Sequence, residues 1–229
     1  MKRTVLVLFA TVVCAGGAMR ASAQFTGMPS LKRPNIANIF HPVPGSGTTY
    51  EQTDQQGRKS QLEMSIVGKE MVGTQDAFWM EVGHAGDGSG NLVYAKMLVT
   101  PADFVFHKLV FVMPGSTQPM EMDMDASKMH RDAIEKDMAK WHSVGTESIT
   151  VPAGTFSCEH WSKDEGKGDV WASSKVSPMG LVKMVDEHET MVLVKQISDA
   201  KTHIAGTPAK FDPQMMMRQR TGQQAPQRP

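Results

Sequence analysis

Cysteine is scarce in this chain: 229 residues carry two, Cys14 and Cys158. Cys14 falls in an N-terminal leader, so Cys158 has no partner within the rest of the chain and an intramolecular disulfide framework is excluded. No reactive constellation surrounds Cys158 in the sequence, and it reads as a small buried hydrophobe. Net charge is lacking too, with 24 Lys and Arg against 24 Asp and Glu. The charges are unevenly placed, since Glu51 to Ala209 holds 15 basic and 23 acidic residues and leaves the basic excess to the ends. An acidic body is a poor electrostatic match to a phosphate backbone, so nucleic acid is not an expected partner.

Other absences narrow the chemistry. After the leader no apolar run is long enough to span a bilayer. There is no phosphate-cradling glycine loop and no dinucleotide fingerprint. Ser89 in GDGSGN does not sit in a Gly-x-Ser-x-Gly frame, and His188-Glu189 lacks the second histidine of a metalloprotease helix. No catalytic residue, cofactor or metal ligand is therefore assigned, and the expectation is a protein that is not an enzyme.

What is present begins with MKRTVLVLFATVVCAGGAMRASA, Met1 to Ala23. A basic start, a short apolar run and Ala-Ser-Ala before Gln24 describe a secretory signal peptide, which predicts a periplasmic or secreted protein. Residues 24–47 are broken by prolines and glycines and read as an irregular leader. From Thr48 the pattern changes to segments of six to ten residues, rich in β-branched and aromatic types and separated by turn signals such as HAGDGSGN, VPAG, DEGKGD and SPMG. Connections this short cannot make parallel crossovers, so the neighbours must be mainly antiparallel.

These signals predict a mainly β (α+β) domain over 48–204, a curled antiparallel half-barrel of about 9–11 strands. One amphipathic helix is expected at about 126–140, where Ala126, Met129, Ala133, Ile134, Met138 and Trp141 recur at steps of three and four. The end of the chain, 205–229, is rich in Gln, Pro and Arg and reads as a disordered tail.

Several strands are apolar on both faces. In FVFHKLVFVM, strict alternation sets Phe104, Phe106, Val110 and Val112 against Val105, Leu109, Phe111 and Met113. With one helix available to cover this surface, the sheet must either curl over itself or line a cavity.

Methionine is abundant, with nineteen in the chain. PMEMDMDASKMH, Pro119 to His130, reads as a strand with Met120, Met122 and Met124 inward and Glu121 and Asp123 outward, followed by the start of the helix. One reading of that stretch is a flexible, polarizable lining; the other is a Cu(I) site using Met120 to His130, since thioethers suit a soft cation. Methionines elsewhere at positions that fit a β core favour lining.

The runs SITVPAGTFSCEHW at 148–161 and GDVWASSKVSPMGLVKM at 168–184, with IVGKE at 66–70 and FWMEV at 78–82, resemble exported bacterial proteins of the LolA-like, lipoprotein-sorting superfamily. The resemblance implies an incomplete barrel of curled antiparallel sheet, lidded by helices, whose concave apolar face binds lipid or acylated ligands. Joined to the strand faces, it gives Trp79, Phe104, Phe106, Met120, Met122 and Met124 as the candidate ligand-binding lining, with a hydrophobic small molecule or acyl chain as partner. A structural or interaction module of the cell envelope with a packed interior is the remaining alternative.

Overall fold

In the computed structural model the described residues are 40–85, 92–101, 104–113, 116–124 and 140–212. The expected signal segment, most of the expected irregular leader, nearly all of the expected helix at 126–140 and residues 213–229 lie outside them.

The described residues form one open sheet of twelve strands. The first meander comprises β1 (Gly47–Asp54), β2 (Lys59–Val72), β3 (Gln75–Ala85), β4 (Leu92–Thr100), β5 (Val105–Val112) and β6 (Pro119–Asp123). The second comprises β7 (Trp141–Val151), β8 (Gly154–Lys163), β9 (Gly168–Ala172), β10 (Leu181–Asp186) and β11 (Glu189–Ile197). β11 returns to pair antiparallel with β1 and joins the two meanders, so these strands lie in the order β6-β5-β4-β3-β2-β1-β11-β10-β9-β8-β7. A two-residue strand, β12 (Ala209–Lys210), pairs with β6 in parallel.

Turn chemistry fixes the hairpins. At the β1–β2 turn, Asp54 Oδ1 accepts the backbone N–H groups of Gln56 and Arg58 at 2.9 Å each, and Gly57 takes the left-handed conformation at φ 75 that a side chain would oppose. The β10–β11 turn repeats the device, with Asp186 Oδ1 accepting from the backbone N–H groups of His188 and Glu189.

One face of the sheet carries the core. The register aligns Leu193, Tyr50 and Leu62 across β11, β1 and β2, and aligns Val170, Met184, Met191 and Gln52 in the next row. Further along, Ile66, Met80, Met97 and Leu109 align across β2 to β5. Tyr50 is fully buried and its hydroxyl donates to the Leu181 carbonyl at 3.0 Å, which satisfies the one polar atom it brings inside. Met64, Met80, Met97, Met184 and Met191 are all buried in this layer, so methionine serves as general core filler here.

The sheet bends at the β7 end. Ala153, in the β7–β8 turn, donates its backbone N–H to the Leu193 carbonyl on β11 at 3.4 Å, although β10 and β9 separate β11 from β8 in the sheet. Val151 and Phe156 of that hairpin share one hydrophobic cluster with Leu193 and Tyr50. The breaks of register at Thr49/Tyr50, Ile66/Gly68 and Leu98/Val99 add local twist, as extra residues in a strand do.

Two expectations change. Strict alternation along β5 fails, because Leu98 pairs with Lys108 but Val99 pairs with Phe106, leaving His107 as an extra residue. The bulge turns Phe106, Leu109 and Phe111 onto one face and Val105, Lys108 and Val110 onto the other. The expected tail from residue 205 also begins too early. Residues 199–212 run back over the face of β3 and β4 that bears Glu81 and Tyr94 and end against β6. Along that path Ala200 N–H donates to the Gly45 carbonyl, Gln118 Nε2 to the Thr207 carbonyl, and Phe211 N–H to the Glu121 carbonyl, each at 2.8 Å. Hydrogen bonds hold this segment, which is why it shows no apolar period.

Candidate ligand-binding face

β5 and β6 build the site. Their register places Phe111 opposite Met120 and Leu109 opposite Met122, so these four side chains share the core face. Met124 follows two residues on and is tied to β5 by its backbone N–H, which donates to the His107 carbonyl at 2.8 Å. Phe106 joins them through the bulge. Glu121 and Asp123 point the other way, and the Lys210 ammonium donates to both from the surface.

Phe104 has the one positive φ recorded for a non-glycine among the described residues, at 53. A bulky side chain adopts this region only when its surroundings hold it there. The hold is aromatic: the Phe104 ring meets Phe40 edge-on at 5.0 Å and Phe106 edge-on at 5.3 Å, within the range of favourable T-shaped pairs. Phe106 at 3% and Met120 at 6% exposure are rooted in the core, whereas Phe104, Phe111, Met122 and Met124 are only partly buried against it. The result is an apolar strip, continuous with the core and partly open at its surface.

Five of the six candidate lining residues are thus brought together: Phe104, Phe106, Met120, Met122 and Met124. Trp79 does not join them. On β3, Phe78, Met80 and Val82 take the core face, which turns Trp79 to the opposite side beside Leu98. There its indole N–H donates to Glu70 Oε2 at 3.1 Å and the Lys96 ammonium lies 5.3 Å from the ring centre. Phe-Trp-Met is three consecutive apolar residues, and alternation alone does not say which of them is turned out. Phe111, Leu109 and Phe40 complete the strip and were not among the candidates. The doubly apolar character of β5 signalled the first two, but the bulge that selects them is invisible in the sequence.

The polar groups nearby are few. His84 lies on the core face opposite Leu62 and Val93, its Nδ1 buried without a hydrogen-bond partner, and burial lowers its basicity. Among the described residues no three His, Cys, Asp or Glu side chains are placed to hold a metal ion. Met129 and His130, the far half of the Cu(I) reading, lie outside those residues. Cys158 is buried at 1% exposure beneath the β7–β8 hairpin, and burial, then the Glu147 charge, pushes its thiol up to about 11.

A separate polar knot closes the β7–β9 end. His160 sits between two carboxylates, Nδ1 2.8 Å from Glu147 and Nε2 2.8 Å from Asp169, with its ring stacked 4.6 Å from Trp171. The Trp171 indole N–H donates to the same Glu147 oxygen at 2.6 Å, and the Lys183 ammonium lies 4.9 Å from the indole ring centre. These contacts fasten β7, β8 and β9 to one another, with Lys183 of β10 laid over the indole.

Three solved structures show limited similarity to this chain. A protein from Parabacteroides distasonis assigned as a lipoprotein is 15% identical with a TM-score of 0.38, covering 69% of this chain and 97% of that one. An assigned exported protein from Bacteroides fragilis with a YmcC-like fold is 12% identical with a TM-score of 0.38, covering 69% and 98%. A LolA superfamily protein from Nitrosomonas europaea is 9% identical with a TM-score of 0.30, covering 75% and 94%. No protein-family model and no curated protein matches the chain. Among the described residues no helix is long and apolar enough to cross a membrane.

Proposed function

We propose that this is an exported, non-enzymatic binder of a lipid or other acyl-bearing ligand, and that the ligand lies against the strip formed by β5 and β6. The leader Met1 to Ala23 supports export, since it has the three parts of a secretory signal. The observation that carries the binding reading is the partial exposure of Phe104, Phe111, Met122 and Met124 on a surface rooted in the core. Apolar surface of this kind gains about 0.8 kcal/mol for each methylene it removes from water. Thioether side chains suit it, because they repack around varied shapes at little rotamer cost.

Titration of the protein from Gln24 onward with a fluorescent fatty acid tests the reading. Saturable binding is expected, with affinity reduced about tenfold or more in Met122→Gln/Met124→Gln and unchanged in Trp79→Ala, which alters the other face. Absence of binding, or equal binding by the double variant, removes this strip as a lipid site.

The alignment of the Met120 and Met122 thioethers along β6, with Met124 just beyond its end, supports a second reading, Cu(I) binding. Competition against a Cu(I) chelator separates the two, since Met120→Leu/Met122→Leu/Met124→Leu keeps an apolar surface but removes every sulfur ligand.

A further inference from the structure

The two edges of the sheet are treated differently. At one end, β6 is covered by β12 and Phe211, and Lys210 is drawn over Glu121 and Asp123. At the other end, β7 is eleven residues long, pairs on one side with β8, and has no strand on its outer side among the described residues. Its residues from His142 to Ser148 are exposed. Long bare edges are normally blunted by lysine, proline, a bulge or an inward charge. The first half of β7 has such a device, a register break between Ser143 and Gly145 with Gly145 at φ 133. The second half, Thr146 to Val151, has no lysine, proline or bulge, and its one charge, Glu147, lies on the face of Cys158.

The single ionisable side chain of that half, Glu147, is matched within the same chain by His160 at 2.8 Å and by the Trp171 indole N–H at 2.6 Å. The face opposite Glu147 bears a row of hydroxyls, Thr146, Ser148 and Thr150, and the row continues into β8, where Ser148 pairs with Ser157 and Thr150 lies 3.0 Å from Thr155, oxygen to oxygen.

We propose that β7 pairs antiparallel with β7 of a second copy of this chain, about a two-fold axis at Ser148. In that register Ser148 faces the partner's Ser148, Thr146 faces the partner's Thr150, and Glu147 faces the partner's Ile149. Hydroxyl pairs of this kind are favourable across strands, and no like charges are set directly opposite each other. The hydroxyl row then runs unbroken from β8 of one subunit to β8 of the other. Because β12 closes the opposite edge, pairing through β7 stops at two copies, a closed isologous dimer with a continuous sheet.

Sedimentation velocity of the full mature chain over a range of concentrations is the test. The wild type sediments as a dimer. Ser148→Lys places two ammonium groups face to face at the axis and gives a monomer with an unchanged circular dichroism spectrum, and Ser148→Glu does the same by the opposite charge. Mixing the two variants restores a dimer, which simple damage to the fold would not do. A wild-type monomer at the highest soluble concentration overturns the proposal and leaves β7 to a strand of a different protein. A Ser148→Lys variant that remains dimeric overturns it as well, since the interface then lies elsewhere.

Discussion

His203 holds Glu81 from two positions: its backbone N–H donates to Oε1 at 2.8 Å, and its ring Nδ1 lies 2.9 Å from the same oxygen. Thr202 donates its hydroxyl to the other oxygen at 2.6 Å. Glu81, at 2% exposure on the face opposite the core, is thereby the anchor that fastens residues 199–212 to β3. Tyr94 seals the arrangement by stacking on the His203 ring at 4.0 Å, and it fits because its partner across the strands, Gly83, has no side chain: a Cβ there would lie 2.4 Å from the Tyr94 ring.

Removing the anchor with Glu81→Ala is expected to cost about 1–3 kcal/mol, the range for leaving buried hydrogen-bond partners unsatisfied. The loss should appear as a lower urea midpoint. Hydrogen exchange should quicken at the backbone N–H groups of His203 and Phe211, while Tyr50 and Leu193 keep their protection.

Phe106 and Phe104 touch each other but differ in burial, so they separate stability from binding. Phe106→Ala should cost about 3–5 kcal/mol, as for large aromatic truncations in a packed core. Phe104→Ala should cost less, because its ring is only partly buried and its backbone is held at a positive φ. Equal losses of stability would show that the strip is ordinary core.

Cys158 should resist alkylation. With its thiol pushed up to about 11 and its side chain buried, almost no accessible thiolate exists at pH 8. Iodoacetamide should label it slowly in buffer and rapidly in denaturing urea, as read by mass spectrometry. Fast labelling of the native protein would mean that the β7–β8 hairpin opens readily.

Glu189 supplies a pH dependence with a definite sign. Burial, then the neighbouring Asp186 charge, holds its carboxyl above the ordinary 4.5, and its Oε1 is buried without a partner. A carboxyl raised in the folded state favours folding while protonated, and that contribution is lost as pH rises through its folded value. Glu189→Gln should therefore raise the melting temperature relative to wild type at pH 7 to 8. The difference should shrink towards pH 4.5.

Much of the fold was legible. Turn residues marked the hairpins, and β-branched runs or period-2 alternation marked eleven of the twelve strands among the described residues. The alternation in PMEMDMD correctly set Met120 and Met122 inward and Glu121 and Asp123 outward. The candidate strip was legible in part, because its members are apolar residues on two short-linked strands. Trp79 fell outside it because three apolar residues in a row carry no facing information. Phe111 and Leu109 entered it because one extra residue, His107, shifted the phase of β5. β12 was illegible, since two residues have no period and are held by the edge of β6.

The sequence by itself determined a mainly β chain with short antiparallel connections and methionine-rich strands. Those properties follow from local composition, turn chemistry and a side-chain period of two, which act within a few residues of one another. Tertiary structure decided which face each doubly apolar strand gives to the core, that 199–212 crosses the sheet to cover β6, and that β7 is left with a bare edge. Bulges, strand order and a buried carboxylate set these features, and each depends on contacts between residues far apart in the chain.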